Sequence, residues 1–365
     1  MIMDKIPLCT MYVDEEIKKA VLDVIDSGWY VKGENGRLLE EEFARFCTAK
    51  HGVSVSSGTA AIFLALKALD IGIGDEVIVP SFTFIATASP VILCGATPVF
   101  ADIDSKTYTM RLDEVRRLIT SKTKAIMPVH LYGHPAEMKP IMEIAREHDL
   151  KVVEDACQAH GAVAFGHKVG TIGDIACFSY FPSKNMTVAG EGGMITTNDE
   201  ELAKKMAIMK DHGRIDRHTS TMFGFNFRLS EIHAAVGRVQ LKHLSGWIEK
   251  RRKNAAHYTE LLTDMDGIEL PVEMSWAKHA YHLYVIKSQR RDELAKHLKS
   301  MGIATGIHYY IPVHKQPYIL DNFQAVKLEN TEDCAQKVLS LPLDPRISNE
   351  EIEQVAGEIK NFFKV

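Results

Sequence analysis

Residues 151–193, KVVEDACQAHGAVAFGHKVGTIGDIACFSYFPSKNMTVAGEGG, decide how the chain is read. A short apolar run ends in Asp155, Gln158 follows, a second apolar run ends at Ser179, and Lys184 then stands in a polar loop closed by glycines. Apolar runs this short, bounded by Gly and polar residues, have the length of strands. A carboxylate, a hydroxyl and an amine are therefore delivered to strand ends and the loops beyond them. In an open α/β sheet that edge is where ligands bind.

The same texture extends N-terminally. From Gly52, GVSVS is followed by TAAIFLALKAL, EVIVP by FIATASPVILCG, TPVFAD by LDEVRRLI, and KAIMPVH by a helix entered at Pro135. Strand and helix alternating at this spacing predict a largely parallel sheet covered on both faces. Pro128 cannot donate to a ladder and belongs near the C-terminal end of its strand. Ahead of this block, residues 1–13 read as an irregular arm, and Asp14 as the N-cap of a helix carrying Ile17, Val21, Val24 and Ile25 up to Ser27-Gly28. Leu39, Phe43 and Phe46 mark a second amphipathic helix. The loop GWYVKGENG between the two is either a plain turn or the border of a pocket. Beyond the opening stretch, MITTN reads as a strand, 199–212 as a helix, and Leu229 to Met265 as a long helix with Ile232, Ala235, Val236 and Val239 on one face. The texture then shifts to HLYVI, a helix near 291–300, IATGIHYYIPVH and two closing helices. The expected architecture is α/β: a large domain over 1–245, its mostly parallel sheet sandwiched by helices, and a smaller C-terminal α/β domain over 246–365.

A chain of 365 residues, 46% hydrophobic and 25% charged, can bury a core of that size. Its net charge of −5, without blocks of like charge, leaves no basic footprint for nucleic acid. Six cysteines are scattered without a C-x-x-C pair, and Cys47, Cys94 and Cys177 lie in apolar runs, a pattern that suits a reducing cytoplasm. The start, MIMDKIPLCTMYVDEE, lacks the basic and apolar regions of a signal peptide, and no apolar run is long enough to span a membrane. A soluble, cytoplasmic protein is expected.

Ser57-Gly58-Thr59 falls at a strand-to-helix junction, where unpaired backbone N–H groups and the positive end of the helix dipole accept an anion, and Gly58 permits its close approach. A plain N-cap would look the same. Asp155 has the chemistry to sit beside a pyridine nitrogen and keep it protonated, and Lys184 that of an amine forming a Schiff base with pyridoxal phosphate. Ser179 can add a hydroxyl to the phosphate. Each of these residues also has an ordinary structural reading, as helix cap, strand-end hydroxyl or solvated lysine.

SGTAA, PSFTFIAT, PVHLYG, VVEDACQAHG, CFSYFPSKN, GEGGMITTNDEELA and GFNFRLSEIHAAVGRVQL, in that order, resemble the DegT/StrS-type sugar-nucleotide aminotransferases, which are fold type I pyridoxal phosphate enzymes. The resemblance covers nearly the whole chain. It implies phosphate contacts from Gly58, Thr59 and Ser179, ring-nitrogen pairing by Asp155, a contact from Gln158 to the ring oxygen or face, and the Schiff base at Lys184. The stacking aromatic would be Phe84, with Phe82 as its near alternative. Asn226 would reach the phosphate of the neighbouring subunit in a homodimer with shared active sites. The family's common Asn-Tyr-Arg stands here as Asn226-Phe227-Arg228, so a hydroxyl role at its centre is lost. Gly306 to Tyr310, with His314, resembles a family segment near the sugar nucleotide, and Arg228, His308 and Tyr309 are the candidate substrate contacts. His308 and His314 lack a carboxylate or Cys to complete a metal set, so they read as a pocket or surface-loop pair and no metal is expected.

The resemblance also implies glutamate as amino donor, 2-oxoglutarate as its product and a keto-sugar nucleotide as acceptor, with Lys184 acting as imine partner and general base. Sugar-dehydrating relatives carry histidine at that position, so the lysine argues against dehydration. Two other readings stand beside this one. One is an aminotransferase acting on another ketone, such as a keto-cyclitol; the other is a non-catalytic pyridoxal phosphate-binding regulator.

Overall fold

The computed structural model describes residues 5–364, so that residues 1–4 of the expected arm lie outside the described residues. Two helices come first, α1 (Glu15–Ser27) and α2 (Glu34–Cys47). Asp14 caps α1, its carboxylate accepting from the Ile17 N–H at 2.8 Å, and Gly28 ends it at φ 67°, a conformation that a Cβ disfavours. A strand–helix series follows: β1 (His51–Val55), α3 (Gly58–Ala68), β2 (Glu76–Pro80), α4 (Ser89–Leu93), β3 (Thr97–Ala101), α5 (Leu112–Leu118), β4 (Thr123–Ile126), α6 (Met138–Glu147) and β5 (Lys151–Asp155). A short hairpin, β6 (Val163–Ala164) with β7 (His167–Lys168), leads to β8 (Ile175–Ser179), β9 (Gly193–Thr197) and α7 (Glu200–Met209). The long α8 (Glu231–Leu262) then crosses to the C-terminal third: β10 (Ala277–Lys278), β11 (Tyr284–Lys287), α9 (Arg291–Ser300), α10 (Pro317–Asn322), α11 (Glu329–Lys337), β12 (Val338–Leu341) and α12 (Asn349–Lys364).

The main sheet has the order β1-β9-β8-β5-β4-β2-β3. Strands β8, β5, β4, β2 and β3 are parallel, and β9 is antiparallel to both its neighbours, so β1 points the same way as β8. All strands but β9 therefore present their C-terminal ends at one edge. Alternation along the strands decides what stands there. Val153 of β5 and Ile175 and Cys177 of β8 pack with α3, whereas Val152 packs with Ile141 and Ile144, and Ala176 and Phe178 pack with Leu39 and Phe43. Period two thus puts Asp155 and Ser179 on the α3 face and Glu154 on the other. Eight of the eleven α3 residues are buried. Its alanines let the helix lie close to the sheet, and each fully buried Leu or Ile contributes about 1.5–3 kcal/mol.

Three local expectations are corrected. FIATASPVILCG is not one helix but a 3₁₀ turn, Ile85–Thr87, followed by the five-residue α4, because Pro90 is tolerated only in a first turn. The helix expected from Pro135 begins at Met138: the Ala136 N–H is held by His130 Nδ1 at 2.9 Å, and the Pro135 carbonyl lies 2.8 Å from His134 Nδ1. The chain closes with three helices, not two, and between them β12 pairs antiparallel with β11. Position 246, where the smaller domain is expected to begin, falls inside the uninterrupted α8. A separate apolar cluster gathers Tyr258, Tyr284, Leu294, Leu339 and Ile359 together with Ile6 of the arm. Among the described residues no helix is long and apolar enough to cross a membrane.

Candidate active site

At the C-terminal edge of the sheet a cavity of about 370 Å³ is lined by Gly58, Thr59, Phe84, Asp155, Gln158, Ser179, Lys184, His308 and Tyr309, with Ser57, Thr87, Cys157 and His282 among their neighbours. Ser57 caps α3, its Oγ accepting from the Ala60 N–H at 3.1 Å, so the cap reading of this residue holds. The N–H groups of Gly58 and Thr59, which have no intrahelical acceptor, are left at the cavity wall. A Cβ on Gly58 would stand 2.9 Å from Ser179 Cβ and 3.0 Å from Cys157 Sγ. Glycine is what lets the helix end come this close to β8.

Lys184 is set by the loop that follows β8. Its own N–H donates to the Phe181 carbonyl at 2.8 Å, Asn185 Nδ2 donates to the Ala280 carbonyl at 3.0 Å, and Thr187 Oγ1 donates to the Tyr180 carbonyl at 2.9 Å. Gly193 closes the loop against the β1–α3 turn, where a Cβ would meet the Ser57 carbonyl oxygen at 2.5 Å. Burial pushes the Lys184 amine below its ordinary range, opposed by Cys157, Asp155 and Cys9, and no hydrogen-bond partner offsets it among the described residues. Around it stand three histidines, all made harder to protonate chiefly by burial: His282 well below its ordinary value, His308 at about 4 and His160 at about 3. They are neutral at pH 7, and Lys184 is the basic residue of the cavity wall.

Asp155 is 5% exposed. Its Oδ2 accepts from Thr87 Oγ1 at 2.7 Å and its Oδ1 from the Cys157 N–H at 3.2 Å, with no cation paired to it among the described residues. Its strand neighbour Glu154, on the opposite face, has a structural task instead: it accepts from the N–H groups of Gly170, Ile172 and Gly173 and lies 3.0 Å from His130 Nε2. Gln158 Oε1 accepts from the Tyr132 N–H at 3.0 Å, and Nε2 donates to the Tyr309 hydroxyl at 2.9 Å. Tyr309 lies 5.9 Å from Phe84, centroid to centroid, and His308 Nδ1 lies 2.8 Å from Ser340 Oγ. Of the two candidate aromatics Phe84 lines the cavity, while Phe82 is wholly buried with Tyr108 and Tyr132.

Other residues lie elsewhere. Asn226 and Arg228 do not line the cavity of their own chain; Asn226 is exposed, and Arg228 is ion-paired to Asp211. The aromatic loop after α1 stays away from this cavity, but Trp29, Lys32 and Gly33 border a separate open one of about 620 Å³, in which Trp29 is exposed. His314 is in neither a pocket nor a surface loop: it is buried, with Nδ1 2.6 Å from Ser81 Oγ and Nε2 3.2 Å from Glu332. Among the described residues the one group placed to share an ion is Asp14, Glu16 and His243, outside the cavity. The sequence pattern did not single out Thr87 or His282. Thr87 was visible as a hydroxyl four residues after Thr83, and His282 as the residue opening HLYVI.

An amine and a carboxylate that make no ion pair among the described residues, a helix N-terminus with a glycine cradle and an aromatic face form a set that fits pyridoxal phosphate. A family model described as the DegT/DnrJ/EryC1/StrS aminotransferase family matches residues 11–360. A UDP-N-acetyl-3-dehydro-alpha-D-glucosamine 3-aminotransferase of Acidithiobacillus ferrooxidans is 43% identical over 346 residues, covering 95% of this chain and 93% of that protein. The structure of DesV from S. venezuelae in complex with a ketimine intermediate superposes with a TM-score of 0.95 at 38% identity, covering 99% of both chains. That of an NtdA protein from Bacillus subtilis with bound cofactor PMP gives 0.90 at 33% identity, covering 96% of this chain and 82% of the other. These likenesses span nearly the whole chain, and the chain belongs to the DegT/DnrJ/EryC1/StrS aminotransferase family.

Proposed function

We propose that the chain holds pyridoxal 5′-phosphate on Lys184 and passes the amino group of glutamate to a keto-sugar nucleotide, giving 2-oxoglutarate and an amino-sugar nucleotide. The observation that carries this reading is the unpaired Lys184 amine sharing one cavity with the cation-free carboxylate of Asp155. The N–H groups of Gly58 and Thr59 and the Ser179 hydroxyl would hold the phosphate, Asp155 would face the ring nitrogen, and Phe84 the ring. Gln158 keeps a second Nε2 hydrogen for the ring oxygen. When bound, the cofactor supplies an electron sink for the carbon that loses its proton. Lys184 holds it through Nζ, is released when the donor amine takes that place, and then carries the proton as general base. Burial lowers the amine's proton affinity and so raises the fraction that is free to act. His308 and Tyr309 would meet the acceptor.

The sugar-nucleotide class is supported by relatives named for such substrates. A two-fold dimer with shared sites is supported by Asn226, which is exposed and outside its own cavity, and by the exposed Trp29, Tyr30 and Phe223. Arg228 would meet substrate only from the same partner-facing segment. A cytoplasmic location agrees with six free cysteines.

Incubating the holoenzyme with glutamate and a panel of UDP-, dTDP- and GDP-linked keto sugars tests the reading, with products followed by mass spectrometry. An amino-sugar nucleotide and 2-oxoglutarate are expected. Amination of a keto-cyclitol alone would move the acceptor class, and no transfer to any ketone would leave a cofactor-binding regulator.

A further inference from the structure

Thr83 and Thr87 come from PSFTFIAT, the stretch between β2 and α4. The 3₁₀ turn there, with the Thr87 N–H donating to the Phe84 carbonyl at 3.0 Å, brings the two hydroxyls to 2.9 Å in a buried site. Thr87 Oγ1 also lies 2.7 Å from Asp155 Oδ2. An ionised carboxylate only accepts, so the single hydroxyl hydrogen of Thr87 points at Asp155, and Thr83 must then donate to Thr87. The direction of the chain is fixed: Thr83 to Thr87 to Asp155. Its far end is the carboxylate, which makes no ion pair among the described residues.

We infer that the Thr83–Thr87 hydroxyl pair is a positioning relay that keeps the proton shared by Asp155 and the cofactor on the ring nitrogen, which rests on Asp155 being the partner of that nitrogen. The contact holds one proton between two bases. Each hydrogen bond donated to the carboxylate stabilises its ionised form and so favours the proton on nitrogen. Donation from Thr83 polarises the Thr87 hydroxyl and strengthens its bond to Asp155. Without Thr87, Asp155 Oδ2 loses its side-chain donor in a buried site, and the carboxyl draws the proton to itself. The ring then withdraws electrons less well.

The test is the ¹⁵N NMR shift of the ring nitrogen in enzyme reconstituted with ¹⁵N-labelled pyridoxal phosphate, read without any turnover. Wild type and Thr87→Ser should show a protonated nitrogen, and isosteric Thr87→Val a signal moved toward neutral pyridine. Thr83→Val should move it less, in the same direction, and covers the case in which Thr87→Val does not fold. The half-reaction with glutamate should slow about 10- to 100-fold in Thr87→Val, as for loss of one hydrogen bond to a charged group, with KM nearly unchanged. An unshifted, protonated nitrogen in both valine variants overturns the relay and leaves the Asp155 pairing intact. A neutral nitrogen in wild type overturns the pairing and the relay together, and an Asp155→Asn signal identical to wild type does the same.

Discussion

Gly58→Ala adds one carbon at the point where helix α3 meets strand β8. The new Cβ would stand 2.9 Å from Ser179 Cβ, 3.0 Å from Cys157 Sγ and 3.4 Å from Ser179 Cα. Carbon atoms are comfortable at about 3.5–4.0 Å, so the helix end must withdraw from the strand by several tenths of an ångström. Ser179 Cβ is one bond from a fully paired strand and cannot swing aside. Overpacking of this kind costs about 1–3 kcal/mol, and the gain of Ala over Gly in helix propensity offsets up to about 1 kcal/mol of it. Folding stability should therefore fall by no more than about 3 kcal/mol. Cofactor binding should suffer more: moving one N–H out of reach of a phosphate loses a charged hydrogen bond of about 1.5–3 kcal/mol, or roughly a 10- to 100-fold weaker Kd for pyridoxal phosphate. Urea unfolding of the apoenzyme gives the first quantity and fluorescence titration with cofactor the second. A variant that loses stability but binds cofactor as wild type does would refute the placing of the phosphate at this helix end.

Asp211 offers a pH test away from the cavity. Burial raises its proton affinity, but hydrogen bonds from Lys32, Arg214 and Arg228 outweigh this and hold the carboxyl well below its usual range. Its contribution to stability is thus present above the unfolded value of ~3.9 and is lost as pH falls below it. Asp211→Asn should cost about 1–3 kcal/mol at pH 7, less any share from the mostly exposed Lys32, and flatten the acid limb of the stability curve. An acid limb identical to wild type would contradict the cluster's role. For the shared site, co-expressing Lys184→Ala with Asn226→Asp should restore roughly a quarter of the wild-type sites, because one of the two sites in each mixed dimer is intact. No recovery from verified mixed dimers, with both homodimers inactive, would overturn the shared site.

The strands that carry the chemistry were legible because parallel strands buried on both faces are short apolar runs whose last residues can be counted off. Asp155 and Ser179 close β5 and β8 on the α3 face, and Ser57-Gly58 opens α3. What joins those edges was not legible. Thr87, just after β2, reaches Asp155 at the end of β5 through a 3₁₀ turn that the helix-like FIATASPVILCG concealed. His282 is brought in by ladder-like contacts with a distant loop, Ala280 N–H to Gly133 and Leu283 N–H to Tyr132, which leave no periodicity behind. Strand β12 follows α11 directly, with no turn residue to announce it.

The placing of the cofactor on Lys184 is tested most directly by trapping it there. Reducing the holoenzyme with borohydride, digesting it and mapping the peptides by mass spectrometry should find a pyridoxyl group on Lys184, in the peptide that contains FPSKN, and glutamate added beforehand should abolish that label by releasing the lysine. Label on any other lysine, or a Lys184 label that glutamate leaves untouched, would contradict it.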